Sequence, residues 1–513
     1  MSATIKARSR EIKPGPLGVW LERALFVALF LFISAAPNSI AGTQAAWFLG
    51  LVLWVLRLAV WPRPKFERTP LDYPMFGFFI LTGLSSFLSY SPIVSIGKLR
   101  AACLFTIVYL FAENIRSRGV LQFLVITLMA ACVVNVFLTF FQYGPGRGVK
   151  VYGVTANSPL SSAQLVSRAK IQTVPILSGD TLEEIDGRPL RSAEDLAEAL
   201  QSPQKDPARI KIYRVEWVAV LEIPRARLLP GGTPEERLGI QRWTHGRDWR
   251  ASGFFNHWTT YAESLQLIAS VALGLLVALP RKRSWEGSLL VFAIAGMGVA
   301  MLLSVTRASW LSLLVSATLI TALSVSRRAL LVIGLCALPL VLTGLIVLHQ
   351  KRNVGFFDQK DDSIVWRQKI WQEGFQLLIS NPRHLLFGVG MDSIKGHWRE
   401  FGLFENGRLP MGHMHSDYLQ IALERGVPAL LVWLILLGVY ARTLWRLRRR
   451  VPAEKWIEKG TVLGALGGLV GFMLSGVVHY NWGDSEVVMI FYLIMGLSLV
   501  VERLYRDQTP RVT

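Results

Sequence analysis

The sequence predicts an all-α polytopic membrane protein interrupted by one small α+β unit. Three observations carry this. The 513 residues are 52% hydrophobic with a mean hydropathy of +0.39. The apolar residues gather in runs of about 18 to 22, the length at which a helix crosses a hydrocarbon core of about 30 Å. The net charge of +20 sits mainly in short loops between those runs, as cytoplasmic loops demand, and not in a patch that would suit nucleic acid.

The first run, Ala24 to Ala36, follows Lys6, Arg8, Arg10 and Lys13 and has a signal-peptide look, with Ser34-Ala35-Ala36 as a cleavage site. A second run follows at once, which favours an uncleaved first span. Expected spans are Leu21–Ser39, Gln44–Trp61, Tyr73–Tyr90, Leu99–Phe111 and Leu121–Tyr143, then Thr259–Leu279, Ser288–Val305, Ser309–Val325 and Ala329–Leu348, and finally Val427–Leu444, Thr461–Val478 and Val487–Val501. These are about twelve transmembrane helices. With both termini inside, the inner connections carry Arg63, Lys65 and Arg68, Arg116 and Arg118, Arg281 to Arg283, Arg327 and Arg328, and Arg446 to Arg450. The short outer connections at 38–43 and 480–484 carry no Lys or Arg. The expected organisation is 1–143 with five spans, an outer insertion at 144–258, four spans in 259–348, a large outer segment at 349–426, and three spans with a cytoplasmic tail in 427–513. Cys103, Cys132 and Cys336 all fall inside apolar runs, so neither a disulfide nor a metal site is read from them.

The insertion has a strand, turn and helix rhythm. Ile176 to Leu190 reads as a strand ending in the Asp186-Gly187 turn. Ser192 caps a helix through Leu200 with Leu196, Ala199 and Leu200 on one face, and Ile210 to Val220 reads as one strand. This stretch resembles the second half of a bacterial PDZ domain, without a recognisable carboxylate-binding loop; the resemblance implies a structural or docking role, with polysaccharide-assembly proteins as possible partners. In the large outer segment, Ser363 to Ile379 reads as an amphipathic helix with Trp366, Ile370, Phe375 and Leu378 on its apolar face. Asn381-Pro382 ends it, and Gly388-Val389-Gly390 reads as a flexible turn.

Ionisable groups at membrane depth or at the outer interface are the chemical candidates. Arg307 stands on a short outer turn, Ser304 to Trp310, either snorkelling to water or offering a guanidinium to phosphate oxygens. Lys98 and Arg100 break the charge bias on the same side, with the same two readings. His413 and His415 precede the tenth span. A His-x-His can suggest metal, but no convincing third ligand is nearby; a neutral imidazole also suits acceptance of a proton from a hydroxyl near pH 7. Asp417 or Glu424 could orient it, and the residues alone do not choose.

In order along the chain come Gly253-Phe254-Phe255-Asn256-His257, Thr306-Arg307-Ala308-Ser309-Trp310, Arg367 with Trp371, Asn381-Pro382, Gly388 with Gly390, His415 with Tyr418-Leu419, and Glu424 with Gly426. That order resembles the O-antigen ligase and polymerase superfamily. The resemblance implies a C-type glycosyltransferase-like helical fold in the bacterial inner membrane and an active site facing the periplasm. It also implies an undecaprenyl diphosphate-linked glycan donor and no cofactor. It makes Arg307 and His415 the critical pair and Arg367 a further basic group for the diphosphate, with Lys98 and Arg100 as possible helpers. His413, Asp417, Glu424, Asn256 and His257 are supporting positions, and no metal is implied. The family often has His-Asn where this chain has His415-Ser416, and the insertion is not part of its usual pattern. The implied activity is metal-independent, inverting transfer of the glycan to an acceptor hydroxyl. Lipid A core as acceptor would make a ligase, another lipid-linked glycan a polymerase, and a protein Ser or Thr an O-oligosaccharyltransferase. A polysaccharide transporter or assembly protein is the alternative from another class, although no mid-bilayer ionisable site or repeated half supports transport.

Overall fold

The computed structural model describes residues 15–166, 171–202, 206–214, 217–225, 228–247, 249–255, 257–324, 342–346, 362–409 and 412–506. They form two compact units, one helical and one built on Phe137–Ala251. Among the described residues, nine helices are long and apolar enough to cross a membrane: Pro16–Ala35, Ile40–Ala59, Pro92–Asn114, Arg118–Tyr143, Trp258–Ala278, Trp285–Leu303, Val427–Arg450, Trp456–Ser475 and Ser485–Arg506. Two more expected spans are helices of 16 residues, Asp72–Phe87 and Arg307–Ala322. Each rises only about 24 Å, short of a core of about 30 Å. The expected ninth span lies largely outside the described residues, as do Cys336, Arg327 and Arg328, while Cys103 and Cys132 are free thiols.

Helices 258–278, 456–475 and 485–506 are buried over most of their length, 78 to 83%, whereas the other long helices are buried over 28 to 44%. These three are therefore the centre of the helical unit. Small residues let two of them touch: a Cβ on Gly274 would stand 2.2 Å from the Gly460 carbonyl oxygen, and one on Gly464 would stand 2.4 Å from the Val271 Cα. Close backbone approach of this kind is how helices associate in lipid, where no water is expelled. The fourth expected span starts earlier than its apolar run, at Pro92, which suits the first turn of a helix. A short tight turn at Cys103–Phe105 interrupts it.

The second unit holds an antiparallel sheet of eight strands: β1 Arg147–Tyr152, β2 Gln164–Val166, β3 Ile171–Thr173, β4 Thr181–Ile185, β5 Arg188–Pro189, β6 Ala208–Arg214, β7 Trp217–Ile223 and β8 Arg242–Gly246. Their order is β3-β2-β7-β6-β4-β1-β8, with β5 beside β4. The expected single strand from Ile210 to Val220 is instead a hairpin of β6 and β7, with Ile212 opposite Ala219. No Gly, Pro or Asn marks the reversal, so the sequence carries no turn signal there. The helix Ala193–Gln201 has the expected Ser192 cap, completed by Asp195 into a capping box. Its fully buried residues are Ala193, Leu196, Ala197 and Leu200. Ala197 thus takes the place expected of Ala199, in keeping with the i, i+3, i+4, i+7 rule. The core behind the sheet is Val149, Val151, Leu182, Ile210, Ile212, Leu221 and Ile223.

Candidate functional site

The site grows from the helix Asp362–Ile379. Its buried face is Ile370, Leu377 and Leu378, with Trp366 and Trp371 packed alongside. Phe375, expected on that face, is 56% exposed; five residues beyond Ile370 at about 100° each place it some 140° away. Gly374 leaves a notch, since a Cβ there would stand 2.9 Å from the Met414 sulfur. Trp371 Nε1 donates to the Met414 carbonyl at 2.7 Å, and the Met414 amide donates to Gln420 at 2.7 Å. The histidine loop is therefore clamped at its middle residue from both sides.

On either side of Met414 the two imidazoles lie tilted against each other with ring centroids 4.1 Å apart, and Trp366 stands edge-on to His415 at 4.5 Å. His415 has a left-handed backbone (φ 47°), an uncommon conformation for a non-glycine residue. Its amide donates to His413 Nδ1 at 3.2 Å. Burial, then the charges of Lys395, His479, His257 and Arg367, hold His413 down from an ordinary 6.5 to about 4. Burial, then His413, Arg367, His479 and His257, hold His415 down to about 2. Both rings are neutral at pH 7. Arg367 thus lies within electrostatic reach of both histidines.

Asp417 and Glu424, the expected orienting groups, hold the loop's foundations and do not reach the His415 ring. Asp417 is fully buried, accepts from the Trp482 amide at 2.9 Å, and is pushed well above the usual carboxylate range chiefly by burial. Glu424 accepts from Gln420 Nε2 (2.9 Å), the Asp392 amide (3.0 Å) and the Tyr480 hydroxyl (3.2 Å). Gly388 and Gly390, expected in a flexible turn, are tightly packed. The Val389 and Gly390 amides donate to the Leu423 and Glu424 carbonyls, and a Cβ on Gly390 would stand 1.9 Å from Ser89 Oγ. Ser89 hydrogen-bonds both Ser95 and Ser393 at 2.7 Å.

Lys98 pairs with Asp392 at 3.0 Å, and Lys395 pairs with the same carboxylate at 2.8 Å. A cavity of about 390 Å³ opens beside the loop, lined among others by Lys98, Asp392, Lys395, His413, Glu424 and Arg425. Arg100 is exposed and Arg307 half-buried, and neither lines this cavity. Arg307 begins the helix 307–322, directly after a left-handed turn at Val305 (φ 52°). His257 caps helix 258–278, accepting from the Thr259 amide at 3.2 Å. Asn256 lies outside the described residues.

Two residues escaped the sequence reading. Glu263, buried within helix 258–278, accepts from Ser475 Oγ at 2.8 Å and lies 2.7 Å from His479 Nδ1. An acidic residue inside an apolar span was the available signal. Arg425, a cation just ahead of the helix Val427–Arg450, was hidden as the unremarked middle residue of Glu424-x-Gly426.

The described part of this arrangement falls on and around residues 289–434, which match the family model for O-Antigen ligase. No curated protein matches the chain. The matched stretch holds Arg307, Arg367, His413, His415, Glu424 and Arg425, whereas Lys98, Glu263 and His479 lie outside it. The chain is thus a multi-span membrane enzyme carrying an O-antigen ligase domain.

Proposed function

We propose that the protein transfers a glycan from an undecaprenyl diphosphate-linked donor to an acceptor hydroxyl at the periplasmic face of a bacterial inner membrane, as an O-antigen ligase-like enzyme. The observation that carries this reading is the clamped, neutral His413–His415 loop beside Arg367, within the stretch that matches the O-antigen ligase model.

In the reaction the acceptor O–H gives its proton to the His415 imidazole. Its oxygen attacks the anomeric carbon opposite the diphosphate, and the bond from that carbon to the diphosphate oxygen breaks. The electron pair leaves with undecaprenyl diphosphate, the configuration inverts, and the proton passes from the imidazolium to water. Arg367 and Arg307 stabilise charge growing on the departing diphosphate, where a preformed cation lowers the barrier most. The low proton affinity of His415 belongs to the site without substrate. Burial is the largest cause of that low affinity and Arg367 adds to it; a bound diphosphate anion offsets the Arg367 part and moves the affinity upward, the direction a general base requires. The reaction as drawn needs no metal. The unit at Phe137–Ala251, PDZ-like in part of its sequence, serves as a docking element for acceptor or assembly partners.

The test is transfer from a purified undecaprenyl diphosphate-linked oligosaccharide in liposomes, with lipid A core, a second lipid-linked glycan and a protein offered in parallel. Product with one acceptor, lost in His415→Ala, supports transfer and separates ligase, polymerase and protein O-oligosaccharyltransferase. No product with any of the three from folded protein returns the reading to transport or assembly.

A further inference from the structure

Ser91, His397 and Glu400 stand as a hydroxyl, an imidazole and a carboxylate in series. Ser91 Oγ lies 2.8 Å from His397 Nε2, and His397 Nδ1 lies 2.9 Å from the Glu400 carboxylate. An ionised carboxylate only accepts, so Nδ1 carries the proton of the neutral ring and Nε2 is left to accept from the Ser91 hydroxyl. Aromatic neighbours hold the ring, with centroids 6.0 Å away for Tyr90 and 5.9 Å for Phe401. Tyr90 is itself fixed, its hydroxyl 2.8 Å from His384 Nε2 and its amide on the Val389 carbonyl. The Ser91 amide donates to Ser89 Oγ at 2.9 Å, which ties the serine to the buried hydroxyls of Ser89, Ser95 and Ser393. A serine in front of a helix ordinarily turns its hydroxyl back to cap it. Ser91 precedes the helix Pro92–Ala102 and makes no such cap. Its hydroxyl goes instead to a residue 306 positions later in the chain. The first amides of that helix, those of Ile93 and Val94, are left uncapped by it.

We propose that Ser91, His397 and Glu400 form a second reaction centre, which cleaves carboxylic O-acyl esters through an acyl-serine. The assignment follows from roles and distances, the criterion by which such triads are recognised on unrelated folds. It stands apart from the glycan-transfer reading, since none of the three lines the cavity beside the histidine loop. In acylation the Ser91 proton passes to His397 Nε2 and Oγ bonds to the ester carbonyl carbon. The bond from that carbon to the alcohol oxygen breaks, and the alcohol leaves with the proton from His397. Water then gives a proton to His397 and its hydroxyl to the acyl carbon. The carbon–Oγ bond breaks, the proton returns to Ser91, and a carboxylic acid is released. Glu400 holds the imidazole in its tautomer and offsets the charge of the imidazolium that forms. The Ile93 and Val94 amides are the donors available to a carbonyl oxygen as it gains charge. The surroundings suit an ester and its hydrolysis. Even a Cβ on Gly396 would stand 3.8 Å from Ser91 Oγ, which leaves room for an acyl group beside the hydroxyl. Ile93, 89% exposed, offers apolar surface next to it. The Glu400 side chain is 68% exposed, so water reaches the triad, as deacylation requires. A sugar or a lipid can bear the acyl group; both present the same carbonyl, and the test separates them.

The test uses the full chain in nanodiscs of ether-linked lipid, which bring no acyl ester of their own. A fluorophosphonate probe should attach at Ser91, located by peptide mass, and His397→Ala should lose the tag. Hydrolysis of nitrophenyl acetate should fall about a hundredfold or more in Ser91→Ala and in His397→Ala, and by less in Glu400→Gln. An O-acetylated methyl glucoside and phosphatidylglycerol are then offered separately. Release of acetate assigns the ester to a sugar, and release of fatty acid assigns it to a lipid. Unaltered protein that takes no tag, while a reference serine esterase is fully tagged, overturns the proposal whether or not the variants fold. So does a tag at another residue, hydrolysis retained in Ser91→Ala, or cleavage of neither the acetylated sugar nor the lipid.

Discussion

The two sets of helix ends in the helical unit set their cations against different groups. At the ends rich in Lys and Arg, several cations are tied to the protein's own carboxylates and carbonyls. Arg57 reaches Glu22 twice, at 2.9 and 2.8 Å, and the Val60 and Pro62 carbonyls. Lys459 donates to the Arg448 and Val451 carbonyls, Lys282 to those of Leu276, Val277 and Leu279, and Arg503 to those of Ala112 and Ile115. Several of these carbonyls are the last of a helix, where a cation is favourable. At the histidine end, Arg425 is buried with two nitrogens unmatched, and Arg367 acts on two neutral imidazoles. The same residue type closes helix ends at one end and acts on the histidine loop at the other. What separates them is what the cations face: helix-end carbonyls at one end, neutral imidazoles at the other.

Four measurements sharpen or break that contrast. The largest effect is expected for His415→Ala, which should lower the transfer rate about a hundred to ten thousandfold with little change in melting temperature; an unchanged rate in inserted protein removes His415 from the chemistry. Next, Gly390→Ala should destabilise the protein by about 3 kcal/mol or more, because an alanine there combines positive-φ strain with a clash on Ser89; thermal melts in detergent would show it.

The third concerns pH. His413 is held near 4 against 6.5, so the unfolded chain binds the extra proton between those values. Stability therefore rises with pH through that window and falls by up to about 3 kcal/mol on acidification from 6.5 to 4. His413→Asn should flatten the acid limb of stability against pH. Smallest, Arg506→Ala at the opposite end, which breaks the partly exposed pair with Glu67, should change stability by less than about 1 kcal/mol and leave the transfer rate alone. A large loss of rate there would erase the distinction between the two ends.

Much of the helical unit was readable because a lipid-spanning helix announces itself by length and composition alone. The histidines were readable because ionisable groups beside a span are rare. Other features depended on pairing, which one-dimensional patterns do not contain. The β6–β7 reversal has no turn residue, and Phe375 was misplaced because its hydrophobicity was counted without its angle. Glu263 acquires meaning only beside His479, which lies 216 residues later in the chain. Asp417 looked like a partner for imidazole because of its proximity in sequence; its carboxylate turns instead to Trp482.

The buried hydroxyl knot of Ser89, Ser95 and Ser393 has a consequence for biogenesis. Its first two members leave the ribosome 304 and 298 residues before the third, and Ser85 waits still longer for the Glu424 carbonyl that it meets at 2.7 Å. At roughly 5–20 residues per second, the early hairpin spends on the order of 15–60 s in the membrane with these hydroxyls unanswered by their final partners. The packing around the histidine loop is therefore a late product of synthesis. Chains that stop short of residue 393 can insert their first spans yet lack the segment that locks them, which leaves an incomplete but membrane-embedded substrate for quality-control proteases.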